Sequence, residues 1–493
     1  MTRSSHRSPI LSLTTVLGLA LLVCILAITT HSLWIDELMT VFLVKGDTFA
    51  EFQQRLGVLS TSDNLMPFYM GFVHFWETAL GDGERVLRLA NVPWFLFGVG
   101  AMWHLLRESP RLRWLSVALL FASPFTWYYL NEARPYAMQI GSGCAVMACA
   151  VRIIWTRQAI HSSDLIVTAI GLLVMSGASL LSVPWTGLFI LLFLWALKSG
   201  RVVAPKGLII GVAVASTLVL AGLGYYYAGV LATGARAATA FGGIFQGLAY
   251  AAYELAGFAG LGPGRDDLRA NGVGAFALRY LAVIAILTLI YFAIAVAAVL
   301  DLRRSTHWRK PLLVTLGLLM PAFAFFLLLG IFKDFRVLGR HFAPLSPVIA
   351  MALAGTLLSI RMEGTRRVLS IAALLALSAS TLSIRLAPRH LRDDYRQAKA
   401  VVEAEYAAGR NVLWVANLAG ISHYTPESVP QGNVAAGGMF VYFFGEPKGS
   451  NLPDTVLISK PDIHDPVGFG RKVIEDGNYR LERSFPGFQV WVR

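Results

Sequence analysis

Trp34-Ile-Asp-Glu-Leu38 places two adjacent carboxylates, Asp36 and Glu37, just after the first long apolar run of the chain, Ile10 to Ile28. That run is long enough to cross a bilayer, because about 20 predominantly apolar residues span the hydrocarbon core. Acidic side chains at the mouth of a span are costly to desolvate, which favours a functional role. For the pair taken alone, the alternative is a solvated helix end.

Composition places the chain among polytopic membrane proteins. Its 493 residues are 56% hydrophobic and 14% charged, and the mean hydropathy is +0.60, unlike a soluble domain. In such a chain the net charge of +13 informs topology and does not indicate nucleic acid binding. Cys24, Cys144 and Cys149 lie in apolar runs without metal-ligand spacing, so they indicate neither a disulfide framework nor a zinc site.

The apolar runs predict a polytopic α-helical protein with about eleven spans. The predicted spans are 10–30, 89–106, 114–130, 136–155, 164–182, 185–198, 207–227, 276–300, 311–331, 342–360 and 367–386. The first has a basic start and no small-residue cleavage site, so it is interpreted as an uncleaved helix and not a signal peptide. The run 185–198 is short, and a broken or tilted hairpin around Pro184 is the alternative there.

The basic residues fall on alternate loops. They include Arg3 and Arg7, Arg107 to Arg113, Arg152 and Arg157, Lys198 to Lys206, Arg303 to Lys310, and Arg361 to Arg367. The positive-inside rule assigns these loops to the cytoplasm. The predicted topology therefore has the N-terminus inside, and it puts Asp36, Glu37 and the C-terminal tail on the same extracytoplasmic side of the membrane.

Two outer segments and the tail complete the predicted organisation. The first outer loop, 31–88, contains a helical pattern at 67–76 that suits an interfacial helix. The outer loop 228–275 is rich in Ala and Gly and predicts a turn at 260–267. After residue 386 the composition changes, and short strand patterns at 411–416, 455–459 and 488–492 alternate with turns. The predicted domains are a transmembrane domain, 1–386, and a small extracytoplasmic α/β domain, 387–493.

Two further groups of polar residues face the same predicted side as Asp36 and Glu37. One is Asn131-Glu-Ala-Arg-Pro-Tyr136, in which Pro135 suits a helix start and places Arg134 at its mouth. The other is Lys333-Asp-Phe-Arg-Val-Leu-Gly-Arg-His341, which is basic on a side where the positive-inside rule predicts few cations. Arginine suits bidentate contact with phosphate, so this cluster predicts a site for a phosphate-bearing headgroup. Snorkelling or loop salt bridges are the alternative.

These motifs, in this order, resemble those of the GT-C membrane glycosyltransferases, in the protein-mannosyltransferase, aminoarabinose-transferase and RgtABCD-like group. The shared features are the Asp-Glu pair, Ala-Arg-Pro-Tyr before a helix, and Arg-His-Phe-x-Pro-x-x-Pro in a late segment. The first loop resembles the group's pattern through Pro67-Phe-Tyr69, His74 to Trp76, Gly81-Asp82 and Arg88-Leu89, and Asp394-Tyr-Arg396 resembles the opening of its soluble domain. One departure is that the group's His-Pro-Pro falls on Leu65-Met-Pro67, with Asp63 and Asn64 nearby.

The resemblance implies a GT-C-like fold and transfer of a sugar from a polyprenyl-phosphate donor to an envelope acceptor, which is a lipid, a glycan or a protein. Asp36 is the predicted general base, with Glu37 as its catalytic partner. Arg134, Arg336 and Arg340 are predicted to hold the donor phosphate. Candidate donor or acceptor contacts are Tyr136, His341 and Arg88.

The two carboxylates could also recruit Mg²⁺ or Mn²⁺. No further ligand is identified, so no metal is assigned, and the expected partners are the donor, an acceptor and membrane lipid.

Two other function classes fit the same chain. One is a transporter or flippase of a lipid-linked saccharide, which predicts inverted repeats and ionisable residues near the midplane, neither of which is evident. The other is a non-catalytic polysaccharide-assembly protein, in which the tail is the working part.

Overall fold

The computed structural model places most of the chain. It describes residues 9–46, 48–58, 62–233, 243–302, 320–321, 323–333, 335–426, 429, 431–433, 441–444, 452–465 and 467–493. Asp334 and the first part of the predicted span 311–331 lie outside these residues. So do the side chains of 265–278, including the charged residues of the predicted turn at 260–267.

Helices dominate the first part of the chain. They are α1 (Pro9–Ala27), α2 (Ile35–Val44), α3 (Phe49–Val58), α4 (Pro67–Leu80), α5 (Glu84–Leu89), α6 (Val92–Leu105), α7 (Pro110–Phe121), α8 (Pro124–Leu130), α9 (Tyr136–Val151), α10 (Ser162–Ala178), α11 (Val183–Lys198), α12 (Lys206–Ala232), α13 (Ile244–Leu255), α14 (Arg265–Leu302), α15 (Phe323–Lys333), α16 (Ser346–Ser359) and α17 (Glu363–Leu386). A short parallel bridge joins β1 (Ile160–His161) to β2 (Val202–Val203).

The chain is a polytopic membrane protein. Within the described residues, seven helices are long and apolar enough to cross a bilayer: Glu84–Leu105, Tyr136–Thr156, Leu180–Lys198, Lys206–Ala232, Arg279–Asp301, Gly339–Ser359 and Glu363–Leu386. Shorter apolar helices cover Leu13–Ala27, Ser162–Ala178 and Phe323–Lys333. Length and composition thus support a polytopic protein without confirming the predicted count of about eleven.

Two predicted elements differ from the structure. The run 114–130 is divided between α7 and α8, because Pro124 follows Ser123, whose side chain caps the new helix by accepting from the Thr126 N–H. The outer segment 228–275 is helical over much of its length, since it contains α13 and the start of α14. A turn does remain between those two helices, where a Pro-Gly pair interrupts the chain just before Arg265.

Small residues set the centre of the helical bundle. Of the most apolar 18 residues of the α9 span, 94% are buried inside the protein. A Cβ added at Gly98 of α6 would lie 2.5 Å from the Cα of Gly141 in α9, and one at Gly141 would overlap the backbone oxygen of Trp94. Glycine therefore lets the two helices approach backbone to backbone, as small residues do in membrane bundles.

The tail folds as a mixed sheet flanked by helices. Its strands are β3 (Val412–Val415), β4 (Gln431–Asn433), β5 (Val441–Phe444), β6 (Thr455–Ser459), β7 (Arg480–Phe485) and β8 (Phe488–Val492), in the order β4-β5-β3-β6-β8-β7. The buried central strands β3 and β6 run parallel, and the other pairs are antiparallel. Helices α18 (Tyr395–Ala407), α19 (Leu418–His423), α20 (Pro461–His464) and α21 (Phe469–Asp476) complete it.

The sheet and the first outer segment share one hydrophobic core. Leu38 of α2 and Met70 of α4 belong to the same buried cluster as Tyr395, Trp414 and Phe488 of the tail. This packing fixes the start of α2, which carries Asp36 and Glu37, against the tail. The domain boundary at residue 386 stays a prediction.

Candidate active site

Asp36 and Glu37 begin α2 and point in different directions, because successive residues of an α-helix are about 100° apart around its axis. Asp36 faces the 3₁₀ turn at residues 339–345, where Arg340 Nη1 donates to its Oδ2 at 2.5 Å. The two side chains are 27% and 21% exposed. The Arg340 guanidinium carbon also lies 5.9 Å from the ring centroid of Tyr136. Asp36 is thus an ion-paired carboxylate that solvent can reach.

Glu37 lies in the interior. It is 0% exposed and pairs with Arg88, which is 1% exposed, through Nε–Oε1 at 2.9 Å and Nη2–Oε2 at 2.7 Å. The N–H groups of Ala133 and Trp34 also donate to it, at 2.8 and 3.2 Å. Burial alone raises the pKa of this carboxyl, but the Arg88 charge and these hydrogen bonds outweigh it and hold the pKa below its usual value. Glu37 and Arg88 therefore act as a buried clamp between α2, α5 and the turn before α9.

Arg134 is also inside the protein. Its Nη1 pairs with Asp63, donates to Thr40 Oγ1 at 2.9 Å, and donates to the backbone oxygen of Asp36 at 3.2 Å. The side chain is 4% exposed. Arg134 therefore holds the first turn of α2 in place through Asp36 and Thr40, and the carboxylate of Asp63 balances its charge.

The remaining predicted contacts surround Arg340. Arg336 is exposed, and Tyr136 is buried. His341 lies beside two phenylalanines, with ring centroids 4.9 Å from Phe335 and 6.1 Å from Phe326. Its Nδ1 accepts from the Leu338 N–H at 3.2 Å. The structure therefore brings Arg340, Tyr136 and Asp36 together, while His341 supports the turn that carries Arg340.

Two charged residues of the site were not among the sequence candidates. Arg392, just after α17, lies 3.2 Å from Glu132 and 3.9 Å from Glu37. Its guanidinium covers the rings of Tyr128 and Trp34, at 4.4 and 5.3 Å from their centroids. Burial raises the pKa of Glu132 to about 7, against the opposing charge of Arg392. Glu132 belongs to the motif 131–136, whereas Arg392 carries no local signal, because its partners lie hundreds of residues away in the chain.

A cavity of about 80 Å³ lies beside Trp34, between the helical bundle and the tail. Its wall includes Tyr128, Glu254, Arg392 and Lys460. Lys460 Nζ pairs with Asp393 at 2.6 Å, so the tail contributes charge to this wall. The volume suffices for a few water molecules. A polar, aromatic-lined space thus begins two residues before Asp36.

The adjacent carboxylates do not fit a shared metal site. Asp36 is held by Arg340 and Glu37 by Arg88, so each negative charge is already matched by an arginine. Within the described part of the chain, no group of three or more His, Cys, Asp or Glu is arranged to hold a metal ion. No step is therefore assigned to Mg²⁺ or Mn²⁺.

A second charged cluster lies at the opposite ends of α6, α9 and α10. Asp164 accepts from Arg107 at 2.5 Å and lies 3.5 Å from Arg152, while Arg152 pairs with Glu108 at 2.6 Å. These arginines belong to the loops that the positive-inside rule assigns to the cytoplasm. This charged cluster therefore lies at the opposite end of the bundle from Asp36, Arg340 and the tail.

No family model matches the chain, and no curated protein matches it. The structure is similar to two crystal structures of ArnT from Cupriavidus metallidurans. The apo state has 12% sequence identity and a TM-score of 0.50, and the state bound to undecaprenyl phosphate has 12% identity and a TM-score of 0.48. Each match covers 97% of this chain and 97% of the other. The chain therefore has the fold of ArnT, an aminoarabinose transferase of the GT-C type, and its resemblance to the GT-C group is confirmed at the level of the fold.

Proposed function

We propose that the protein transfers a sugar from a polyprenyl-phosphate-linked donor to an envelope acceptor on the extracytoplasmic side of the bacterial cytoplasmic membrane. The observation that carries the proposal is the accessible Asp36–Arg340 pair, at 2.5 Å, in a GT-C-like fold. A carboxylate and an arginine within contact distance supply the two functions that this transfer requires, a base and a phosphate-binding cation.

In the proposed reaction, an acceptor hydroxyl or amine attacks the anomeric carbon of the donor sugar. The bond from that carbon to the phosphate oxygen breaks, and the transition state has oxocarbenium character, as in other glycosyl transfers. Asp36 takes the proton that the acceptor loses. The electron pair of the broken bond leaves with the polyprenyl phosphate, whose added charge Arg340 stabilises. Binding of the phosphate to Arg340 would also release Asp36 from its ion pair.

The other predicted residues take supporting roles in this scheme. Arg336 is exposed on the same segment as Arg340 and is the second proposed phosphate contact. Arg134, Glu37 and Arg88 are buried and paired, so we assign them to positioning: they hold the first turn of α2, and hence Asp36, in place. Tyr136 is proposed to orient Arg340, and His341 to fix the turn that carries it.

The test compares the envelope of cells with and without the gene. We expect the deletion strain to lack one sugar modification and to accumulate one polyprenyl-phosphate sugar, both measured by mass spectrometry of glycans and lipids. A gene carrying Asp36→Asn should behave like the deletion. The matched control Asp476→Asn changes an exposed carboxylate at the end of α21 in the tail, outside every motif of the site, and should restore the wild-type pattern. Identical glycans and lipids in all four strains would overturn the proposal.

A further inference from the structure

Two adjoining cavities lie at the outer ends of α1 and α17, away from the Asp36–Arg340 pair. The smaller has a volume of about 30 Å³, and the larger is a cleft of about 410 Å³ that extends to the tail. They share His31, Leu391 and Arg392 as a common wall. Arg88 lies in the wall of the smaller cavity and joins it to Glu37, since it donates to Glu37 Oε2 and to the backbone oxygen of His31, each at 2.7 Å. The smaller cavity therefore adjoins the buried clamp.

The smaller cavity is strongly cationic. Its wall contains Arg88, Arg385 and Arg392 together with two histidines, and no carboxylate lines it among the described residues. Arg88 is neutralised by Glu37, and Arg392 pairs with Glu132. Arg385 has no ion pair with any described carboxylate, and its Nε donates to the backbone oxygen of Leu26 at 3.1 Å. The two terminal nitrogens of this guanidinium are thus available to an anion.

His31 reports the same excess of positive charge. It lies in the connection between α1 and α2, on the wall common to both cavities. Burial lowers the pKa of this imidazole most, and the charges of Arg385 and Arg88 lower it further. The charge of Asp394 acts in the opposite direction and raises it. A bound anion would relieve this repulsion.

The position of the cavity says what kind of anion suits it. Arg385 is in the last turn of the membrane-spanning helix α17, and Leu26 is in the last turn of α1. Leu382 and Leu386 are exposed beside Arg385, as is Leu26, so an apolar surface continues from the cavity toward the hydrocarbon core. The wall also contains Trp127 and Tyr128, residue types that concentrate at the membrane–water interface. An anion here would lie at headgroup depth, with room for acyl chains below it.

We propose that the phosphate of an anionic membrane phospholipid binds where this cavity opens into the adjoining cleft, with Arg385 and His31 as its principal contacts. The headgroup would occupy the adjoining cleft, which is wide enough for more than a phosphate and reaches Gln397 and Pro486 of the tail. The acyl chains would lie along the exposed leucines of α1 and α17. The bound lipid would join the first span, the last span and the tail and would stabilise their packing. It would share Tyr128 and Arg392 with the cavity beside Trp34 but would not contact the Asp36–Arg340 pair of the proposed reaction.

The test measures lipid binding directly. Purified protein in detergent is titrated with phosphatidylglycerol or phosphatidylcholine, and retained lipid is counted by native mass spectrometry while thermal unfolding is followed in parallel. We expect wild type to retain phosphatidylglycerol and to unfold at a higher temperature with it. Arg385→Gln should bind it at least tenfold more weakly. Arg367→Gln changes an exposed arginine at the opposite end of the same helix and should bind as wild type does.

Three results would overturn the proposal. Equal retention of phosphatidylglycerol by wild type and Arg385→Gln would exclude the site. Equal retention of both lipids by wild type would remove the role of headgroup charge. Full thermal stabilisation by inorganic phosphate alone, with no gain from phosphatidylglycerol, would indicate a soluble phosphate ligand instead of a lipid. If Arg385→Gln does not fold, His31→Gln serves as the second variant, and wild-type retention by it would equally contradict the proposal.

Discussion

Replacing Arg88 by Met should destabilise the protein more than any change to an exposed ion pair. Glu37 and Arg88 are 0% and 1% exposed, so the substitution leaves a carboxylate buried with two backbone N–H donors and Arg392 at 3.9 Å. Removing one partner of a buried pair costs about 3–5 kcal/mol. Arg88 also donates to the backbone oxygens of Thr29, His31 and Ser32, at 3.2, 2.7 and 3.2 Å. These oxygens lose their donor too, so we expect the upper end of that range, about 5 kcal/mol.

The matched control is Arg367→Met. Arg367 pairs with Glu363 at 3.3 Å, but both side chains are exposed, so the loss should be about 0–1 kcal/mol. The assay is unfolding of the purified variants in one detergent, followed by circular dichroism. The double variant Glu37→Leu with Arg88→Met removes both charges and should recover part of the loss, because no unpaired charge remains buried. Equal stability of Arg88→Met and Arg367→Met in this unfolding assay would refute this account of the buried Glu37–Arg88 clamp.

Two further predictions concern pH and packing. The folded-state pKa of Glu132 is about 7 against an ordinary value of 4.5, so the folded protein keeps a proton that the unfolded chain releases, and stability should fall by about 3 kcal/mol as pH rises from 4.5 to 7. Glu132→Gln should flatten this part of the profile, measured as the unfolding temperature between pH 5 and 8, and an unchanged slope would contradict the assignment. Gly141→Ala should lower the free energy of unfolding by about 1–3 kcal/mol, because its Cβ would overlap the Trp94 backbone oxygen. Gly100→Ala is the control, since its Cβ would meet only Leu17 at 3.7 Å, and equal unfolding temperatures for the two variants would exclude the close approach.

Hydropathy and the pattern of apolar and turn residues predict much of the fold. The strand patterns predicted at 455–459 and 488–492 coincide with β6 and β8, because apolar residues bounded by turn residues leave few alternatives. For the outer loop 228–275 the Ala and Gly content predicts only a connection with a turn at 260–267, and no helix is predicted within it. Its helix α13 is packed against the turn that carries Arg340, and such tertiary support cannot be read from local sequence.

The sequence predicts which residues form the site, but it does not predict which of them are accessible and which are buried as supports. The sequence places Asp36, Glu37, Arg134 and Arg340 in motifs, and the contacts bring them to one end of the bundle. The sequence does not show that Glu37 turns inward to Arg88 while Asp36 turns to Arg340. That depends on helix phase at the start of α2 and on partners from distant parts of the chain.

The most direct test of the account is the rate of sugar transfer by Asp36→Asn. The donor is the polyprenyl-phosphate sugar that accumulates in the deletion strain, and the acceptor is the envelope fraction that lacks the sugar. Both are supplied to detergent-solubilised protein, in which a transporter or flippase has no two compartments to connect. Loss of a general base typically costs 10²–10⁴ in rate. We predict that Asp36→Asn lowers kcat by at least a hundredfold with unfolding temperature unchanged, while Asp476→Asn keeps the wild-type rate; a wild-type rate for Asp36→Asn would contradict the central claim.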